Sequence, residues 1–97
     1  MKVLAFRWEA REELLEAVVW YETERAGLGS RFEKQVDRVF SRIEKTPKQF
    51  PEVEPGYRRA LVHGFPYGIF FTEDDDEIIV LAVMNLYRDP ERWKSRR

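Results

Sequence analysis

"YRRALVHGFPYGIFFTEDDDEIIVLAVMNLY", residues 57–87, decides the fold class. It holds three strand-like runs rich in aromatic and β-branched residues. "YRRALVH" (57–63) and "YGIFFTE" (67–73) are joined by "GFP", and "EIIVLAVMNLY" (77–87) follows the acidic turn "DDD" (74–76). Connections this short leave room only for antiparallel neighbours, so a meander is expected. The last run is apolar on both faces from Ile78 to Val83, which places it inside the sheet and not at its edge.

Working outward, two helices precede these strands. In "EAREELLEAVVWYETERAG" (9–27), Ala10, Leu14, Val18 and Tyr21 recur at helical spacing, with Leu15 and Val19 widening the stripe. Glu9, Glu12 and Glu13 fall in the first turns, where the helix dipole favours negative charge, and Gly27 supplies a stop. "SRFEKQVDRVFSRIEKTP" (30–47) has Ser30 and Glu33 spaced as a capping box, an apolar stripe of Phe32, Val36, Val39, Phe40 and Ile43, and Pro47 as terminator. The short "AGLG" between them makes an αα-hairpin. "KVLAFRW" (2–8) reads as a first strand, and "KQFPEVEPG" (48–56) as a loop. The expected fold is α+β: β-α-α-β-β-β, with the αα-hairpin packed on one face of a small, mainly antiparallel sheet, and a short C-terminal helical turn.

The bulk numbers bound the function. A chain of 97 residues supports one domain and one core, burying roughly 60–65% of the surface its unfolded form exposes. Lys+Arg is 17 against 18 Asp+Glu, so the molecule as a whole has no electrostatic pull on nucleic acid, and any such affinity must come from a local patch. With no cysteine and one histidine, thiolate chemistry is excluded, and neither a metal nor another cofactor is expected. No apolar run of membrane-spanning length and no signal-like segment occur, so the expected location is the cytoplasm.

Four pieces in order carry a family resemblance. They are "A..EL.EAVVWYE" (10–22), "GLGSRF...V" with "I...P..FP" (27–51), "YRRALV.GFPYGIFF" (57–71) and "IIVLAVMNLYRDPERWKSR" (78–96). Together they resemble the bacterial type II toxins of the RelE/ParE superfamily, also described as plasmid stabilisation proteins. The likeness is nearest the ParE-like branch, where "FPY" and an ending of the form "RDPxxW" are common. The resemblance implies a growth-arresting toxin neutralised by a cognate antitoxin whose extended or helical segment wraps it. It also implies one of two targets: DNA gyrase, or the ribosome, where one branch cuts messenger RNA. A homo-oligomer formed through the antitoxin complex is also compatible with it.

Cleavage by 2′-hydroxyl attack needs a base, an acid and cations for the phosphorane charge. The nuclease branch places basic residues along the strand corresponding to 57–62 and an arginine straight after the tyrosine of the "PY" step. This chain offers Arg58 and Arg59, but Gly68 follows Tyr67. Many ParE-like relatives have a histidine where Asn85 stands, and asparagine carries no proton at neutral pH. The equipment is thus incomplete, and a gyrase inhibitor without bond-breaking chemistry is the preferred expectation. An endonuclease using Arg59, Tyr87 and Arg88, or a degenerate antitoxin-binding member without toxicity, are the alternatives.

The residues expected to bind target or antitoxin are Arg58, Arg59, His63, Tyr67, Asn85, Tyr87, Arg88 and Trp93. Arg58 and Arg59 point to opposite strand faces. An ordinary ion pair and a binding role are equally expected for them. Tyr67 and Tyr87 could stack on bases, but packing is favoured for both. Trp93 is expected to fold back as a terminal anchor. "EDDDE" (73–77) reads as a solvated turn. Two surfaces read as positive: Arg31, Lys34, Arg38 and Arg42 along the second helix, and the tail Arg88, Arg92, Lys94, Arg96 and Arg97.

Overall fold

The computed structural model describes residues 2–88 and 91–96. Strand β1 (Val3–Phe6) leads into helices α1 (Trp8–Glu24) and α2 (Leu28–Lys45), followed by strands β2 (Glu52–Glu54), β3 (Tyr57–Leu61), β4 (Tyr67–Glu73) and β5 (Glu77–Asn85). Short 3-10 turns occupy Pro47–Gln49 and Arg92–Arg96. The α+β class is as expected, with one strand more. The stretch read as a loop contains β2, a three-residue edge strand between Pro51 and Pro55, antiparallel to β3. Prolines are tolerated beside an edge strand because no further ladder needs their missing N–H.

The sheet order is β1-β5-β4-β3-β2. β1 runs parallel to β5 and the other pairs are antiparallel, so β5 lies inside the sheet as its two apolar faces require. The helical hairpin covers one face. Phe32, Val36, Val39 and Ile43 of α2 pack with Ile69, Phe71, Ile78 and Val80, and Leu4 and Phe6 of β1 join them. The other face is closed by Trp93, which stacks on Phe70 at 5.2 Å between ring centroids and packs with Leu81, Ala82 and Met84. The expected C-terminal anchor is thus present.

A bulge in β5 makes this two-sided burial work. Phe71 pairs with Val80 and Phe70 with Ala82, which leaves Leu81 unpaired. An extra residue breaks the alternation of a strand. Ile78, Val80 and Val83 therefore face the helices, while Leu81 and Ala82 both face Trp93.

Several local expectations are corrected. β1 ends at Phe6, and Trp8 opens α1 with its side chain exposed. Leu15 and Val19 do not widen the core stripe of α1: they are 62% and 63% exposed, because Ala10, Leu14, Ala17, Val18 and Tyr21 already fill the face that meets α2 and the sheet. The Ser30–Glu33 capping box is not used. α2 begins earlier, at Leu28, with Gly27 as its N-cap at φ +89°. Only Arg25, Ala26 and Gly27 separate the helices, so the last turn of α1 lies beside the first turn of α2. The Glu22 carboxylate then accepts the N–H groups of Gly27 (2.8 Å) and Gly29 (3.0 Å), satisfying donors a helix start leaves open. β5 stops at Asn85 and not Tyr87, because Asn85 Oδ1 accepts the Tyr87 N–H at 2.9 Å and turns the chain aside. The expectation that Asp89 caps the last turn and Pro90 opens it lies outside the described residues. No described helix is long and apolar enough to cross a membrane.

Candidate functional site

A cleft of about 260 Å³ lies between α1 and the end of β5. Glu13, Glu16, Ala17 and Trp20 share one face of α1 and form one wall. Tyr67, Val83, Met84 and Asn85 form the sheet side, and Arg88 and Arg92 stand at the segment leaving β5. Tyr67 opens β4 directly opposite Asn85 at the end of β5, so their side chains meet.

Electrostatics fix what this cleft can do. Burial pushes the Tyr67 phenol above its ordinary value; the Asn85 hydrogen bond and the Arg88 charge pull the other way, and Glu13 and Glu16 add to the rise. Burial likewise raises Tyr21, whose ring lies 6.0 Å from that of Tyr67. Tyr67 thus holds its proton at neutral pH and serves as a hydrogen-bond donor, not as a base. Asn85 cannot transfer protons. The arrangement suits recognition of a partner by an aromatic wall, a phenol, an amide and two guanidinium groups.

Glu13 has a second function. Its Oε1 accepts the N–H of Val83 at 3.0 Å, just beyond the bulge. The same carboxylate takes a two-pronged bond from Arg96, at 2.8 and 2.9 Å, and Arg96 Nη1 also reaches the Leu81 carbonyl at 3.3 Å. The carbonyl of the extra residue and the N–H two residues further on are therefore met by one ion pair. The Glu13 bond is the first cause holding the Arg96 guanidinium above its ordinary value.

Of the residues expected at a site, the structure brings Tyr67, Asn85 and Arg88 together. The others are distributed elsewhere. Arg58 bonds the Phe50 carbonyl at 2.6 Å and pairs with Glu52 at 3.2 Å, fastening β2 and the preceding turn to β3. Arg59 lies on the opposite face, its stem crossing Gly68, where a Cβ would stand 3.4 Å from Arg59 Cδ. Its Nε is buried without a hydrogen-bond partner. His63 is exposed in the β3–β4 turn, away from the cleft. Tyr67 packs as expected against Phe32 and Tyr21, but Tyr87 does not: it is 87% exposed, because the Asn85 turn takes it off the strand. Trp93 is 2% exposed and spent on the core, so it presents no binding surface. The positive tail is also reduced, since Arg96 is held by Glu13 and Lys94 pairs with Glu91.

Sequence reasoning missed Glu13, Glu16 and Trp20 as cleft residues. Their one legible signal was spacing, since 13, 16, 17 and 20 fall on one helical face. The acidic turn behaves as read: Asp74 Oδ1 accepts the N–H groups of Asp76 and Glu77, which holds its carboxyl below the usual range.

The family model described as "ParE toxin of type II toxin-antitoxin system, parDE" matches residues 4–90. Among solved structures, the chain is similar to one titled "Chromosomal ParDE TA system from P. aeruginosa", with a TM-score of 0.77 at 17% identity, covering 88% of this chain and 96% of that one. At that identity the likeness speaks for the fold. No curated protein matches. A match running from β1 past the end of β5 takes in both helices, the whole sheet and most of the cleft, and on it the chain belongs to the ParE toxin family of type II toxin–antitoxin systems.

Proposed function

We propose that this chain arrests growth in the cytoplasm by binding and inhibiting DNA gyrase, and that a cognate antitoxin silences it by covering the cleft and the outer face of α1. The observation that carries the reading is the chemistry of the cleft: a protonated Tyr67, Asn85, Trp20 and two arginines, with no histidine or lysine in its lining. The sole histidine lies in another part of the surface. That set of groups supports recognition over cleavage.

The antitoxin part draws on exposed apolar surface. Trp8, Leu15 and Val19 are 71%, 62% and 63% exposed, and with Glu12 they follow the spacing of a coiled-coil stripe. Trp20, 52% exposed, links that stripe to the cleft. A partner helix or extended segment laid along it would bury all four aromatic and aliphatic groups. Such patches on a small protein mark interaction sites.

The test is induced expression with and without the antitoxin gene, joined to a supercoiling assay with purified gyrase. Inhibition is expected, reversed by antitoxin and weakened at least tenfold by Arg88→Ala. Normal supercoiling at saturating protein would remove gyrase as the target. Transcripts cut at the ribosomal A site in the same cells would favour the endonuclease reading. Accumulation of folded protein without growth arrest would leave only antitoxin binding.

A further inference from the structure

A second depression, of about 340 Å³, lies where the start of α2 meets the β3–β4 turn. It is lined by Tyr21 of α1, by Leu28, Arg31 and Gln35 of α2, and by His63 and Phe65 of the turn. Its size is within the roughly 300–1,000 Å³ typical of small-molecule pockets. We propose that it is a binding site for a small phosphate monoester carrying a flat apolar body.

Charge is the first argument. Asp and Glu make up 18 of the 97 residues, yet no carboxylate lines this pocket. Glu22, which caps the start of α2, is engaged with the Gly27 and Gly29 N–H groups, and neither Glu24, Glu33 nor Asp37 lines the pocket. Arg31 and His63 form neither an ion pair nor a side-chain hydrogen bond with any described residue. Arg58 and Arg96, by contrast, are spent on carboxylates and carbonyls. Two uncommitted nitrogen-rich side chains from separate elements therefore converge on one space.

Donor geometry is the second. Arg31 and Gln35 are four residues apart on α2, so their side chains lie on one face and point at the same neighbour. A guanidinium binds phosphate with two parallel N–H bonds, and such charge-assisted bonds are the strong ones. An amide N–H from Gln35 and a ring N–H from His63 supply further donors. A phosphate monoester carries about −1.5 to −2 at neutral pH and three acceptor oxygens, which suits this set better than one carboxylate.

The remaining lining explains the body of the ligand. Phe65 is held edge-on against Phe32 at 5.0 Å and against Tyr21 at 4.9 Å, so its ring is fixed before any ligand arrives. With Leu28 and Pro66 it makes an apolar half that a bare phosphate would leave empty. This pocket is separate from the α1–β5 cleft, and the proposal holds whichever target the toxin has.

The experiment is a titration of the isotope-labelled full chain, followed by amide correlation spectra, with phenyl phosphate, inorganic phosphate and benzoate in turn. Phenyl phosphate is expected to give saturable shifts at Arg31, Gln35, His63 and Gly64. Inorganic phosphate should move the same signals at least tenfold more weakly, and benzoate likewise. Arg31→Ala and His63→Gln should each weaken phenyl phosphate at least tenfold, while Lys34→Ala, on the same helix but outside the pocket, should not. Arg31→Gln replaces Arg31→Ala if the latter's spectrum shows a fold defect. Absence of saturable shifts, shifts that survive both pocket variants, or equal loss in Lys34→Ala would overturn the site. Equal binding of benzoate would overturn the phosphate assignment.

Discussion

Glu13 shows how much of a residue's role is set by distant chain. From sequence it is one of three glutamates in the early turns of a helix, placed there by the dipole. In the structure its partners are 70 and 83 residues away, at Val83 and Arg96. No local pattern encodes such contacts, because they exist only once the bulge at Leu81 and the terminal turn are in place. Tyr67, Asn85 and Arg88 could be named from the sequence because the family resemblance pointed at their positions. Arg58 and Trp93 were expected to bind target or antitoxin; in the structure Arg58 fastens β2 to β3 and Trp93 stacks on Phe70. The Arg96 side chain is 7% and that of Glu13 17% exposed, so breaking the pair strands a charge in poorly solvated surroundings. Glu13→Ala is expected to cost about 3 kcal/mol, since it also orphans the Val83 N–H. A double-mutant cycle with Arg96→Ala, read by urea denaturation, should give a coupling of about 1–3 kcal/mol. Additive single effects would show that the pair contributes nothing beyond its separate contacts.

At the scale of elements, the long periodic segments were readable and the junctions were not. Both helices and the three C-terminal strands fall within a few residues of their expected bounds. β2 was hidden by its prolines and by its length, since three residues give no alternation to detect. The helix junction was misread because Ser30 and Glu33 satisfied a local rule, while Glu22, from the preceding helix, made the better cap. That choice depends on Gly29. A Cβ there would lie 2.5 Å from the Val18 carbonyl oxygen and 2.9 Å from Glu22 Cβ. Replacing a helical glycine with alanine ordinarily stabilises by up to about 1 kcal/mol. Here the backbone of α1 cannot retreat without opening the hairpin, so Gly29→Ala is expected to destabilise by about 1–3 kcal/mol. At Gly68 the nearest atom is the end of Leu86, at 3.0 Å, which can turn away. Thermal unfolding of the two variants should separate them, with Gly29→Ala melting well below Gly68→Ala. Equal melting temperatures would mean that α1 and α2 approach less closely than described.

Across the whole molecule, the two sheet faces are closed by different means, and one aromatic junction ties the helical side together. Tyr21 of α1, Phe32 of α2, Phe65 of the β3–β4 turn and Tyr67 of β4 lie with ring centroids 4.9–6.0 Å apart. The aromatic richness of the sequence announced such a core, but not that two of its members would carry hydroxyls and border separate depressions. That arrangement makes stability depend on alkaline pH. Tyr21 and Tyr67 both have folded-state values raised, chiefly by burial. A raised value means that the folded chain holds these protons more tightly than the unfolded chain does. Their contribution is fully present below the ordinary tyrosine value of about 10 and is lost as pH rises through the folded values. Denaturation midpoints should therefore fall as pH rises above about 10, and fall less steeply in Tyr67→Phe, which keeps the ring in the junction but removes one ionising hydroxyl. Lysines titrate in the same window in both proteins, so the difference between the two slopes isolates the phenol. Coincident slopes would mean that the Tyr67 hydroxyl is as well solvated folded as unfolded, and the description of the cleft as a partly buried donor site would fail with it.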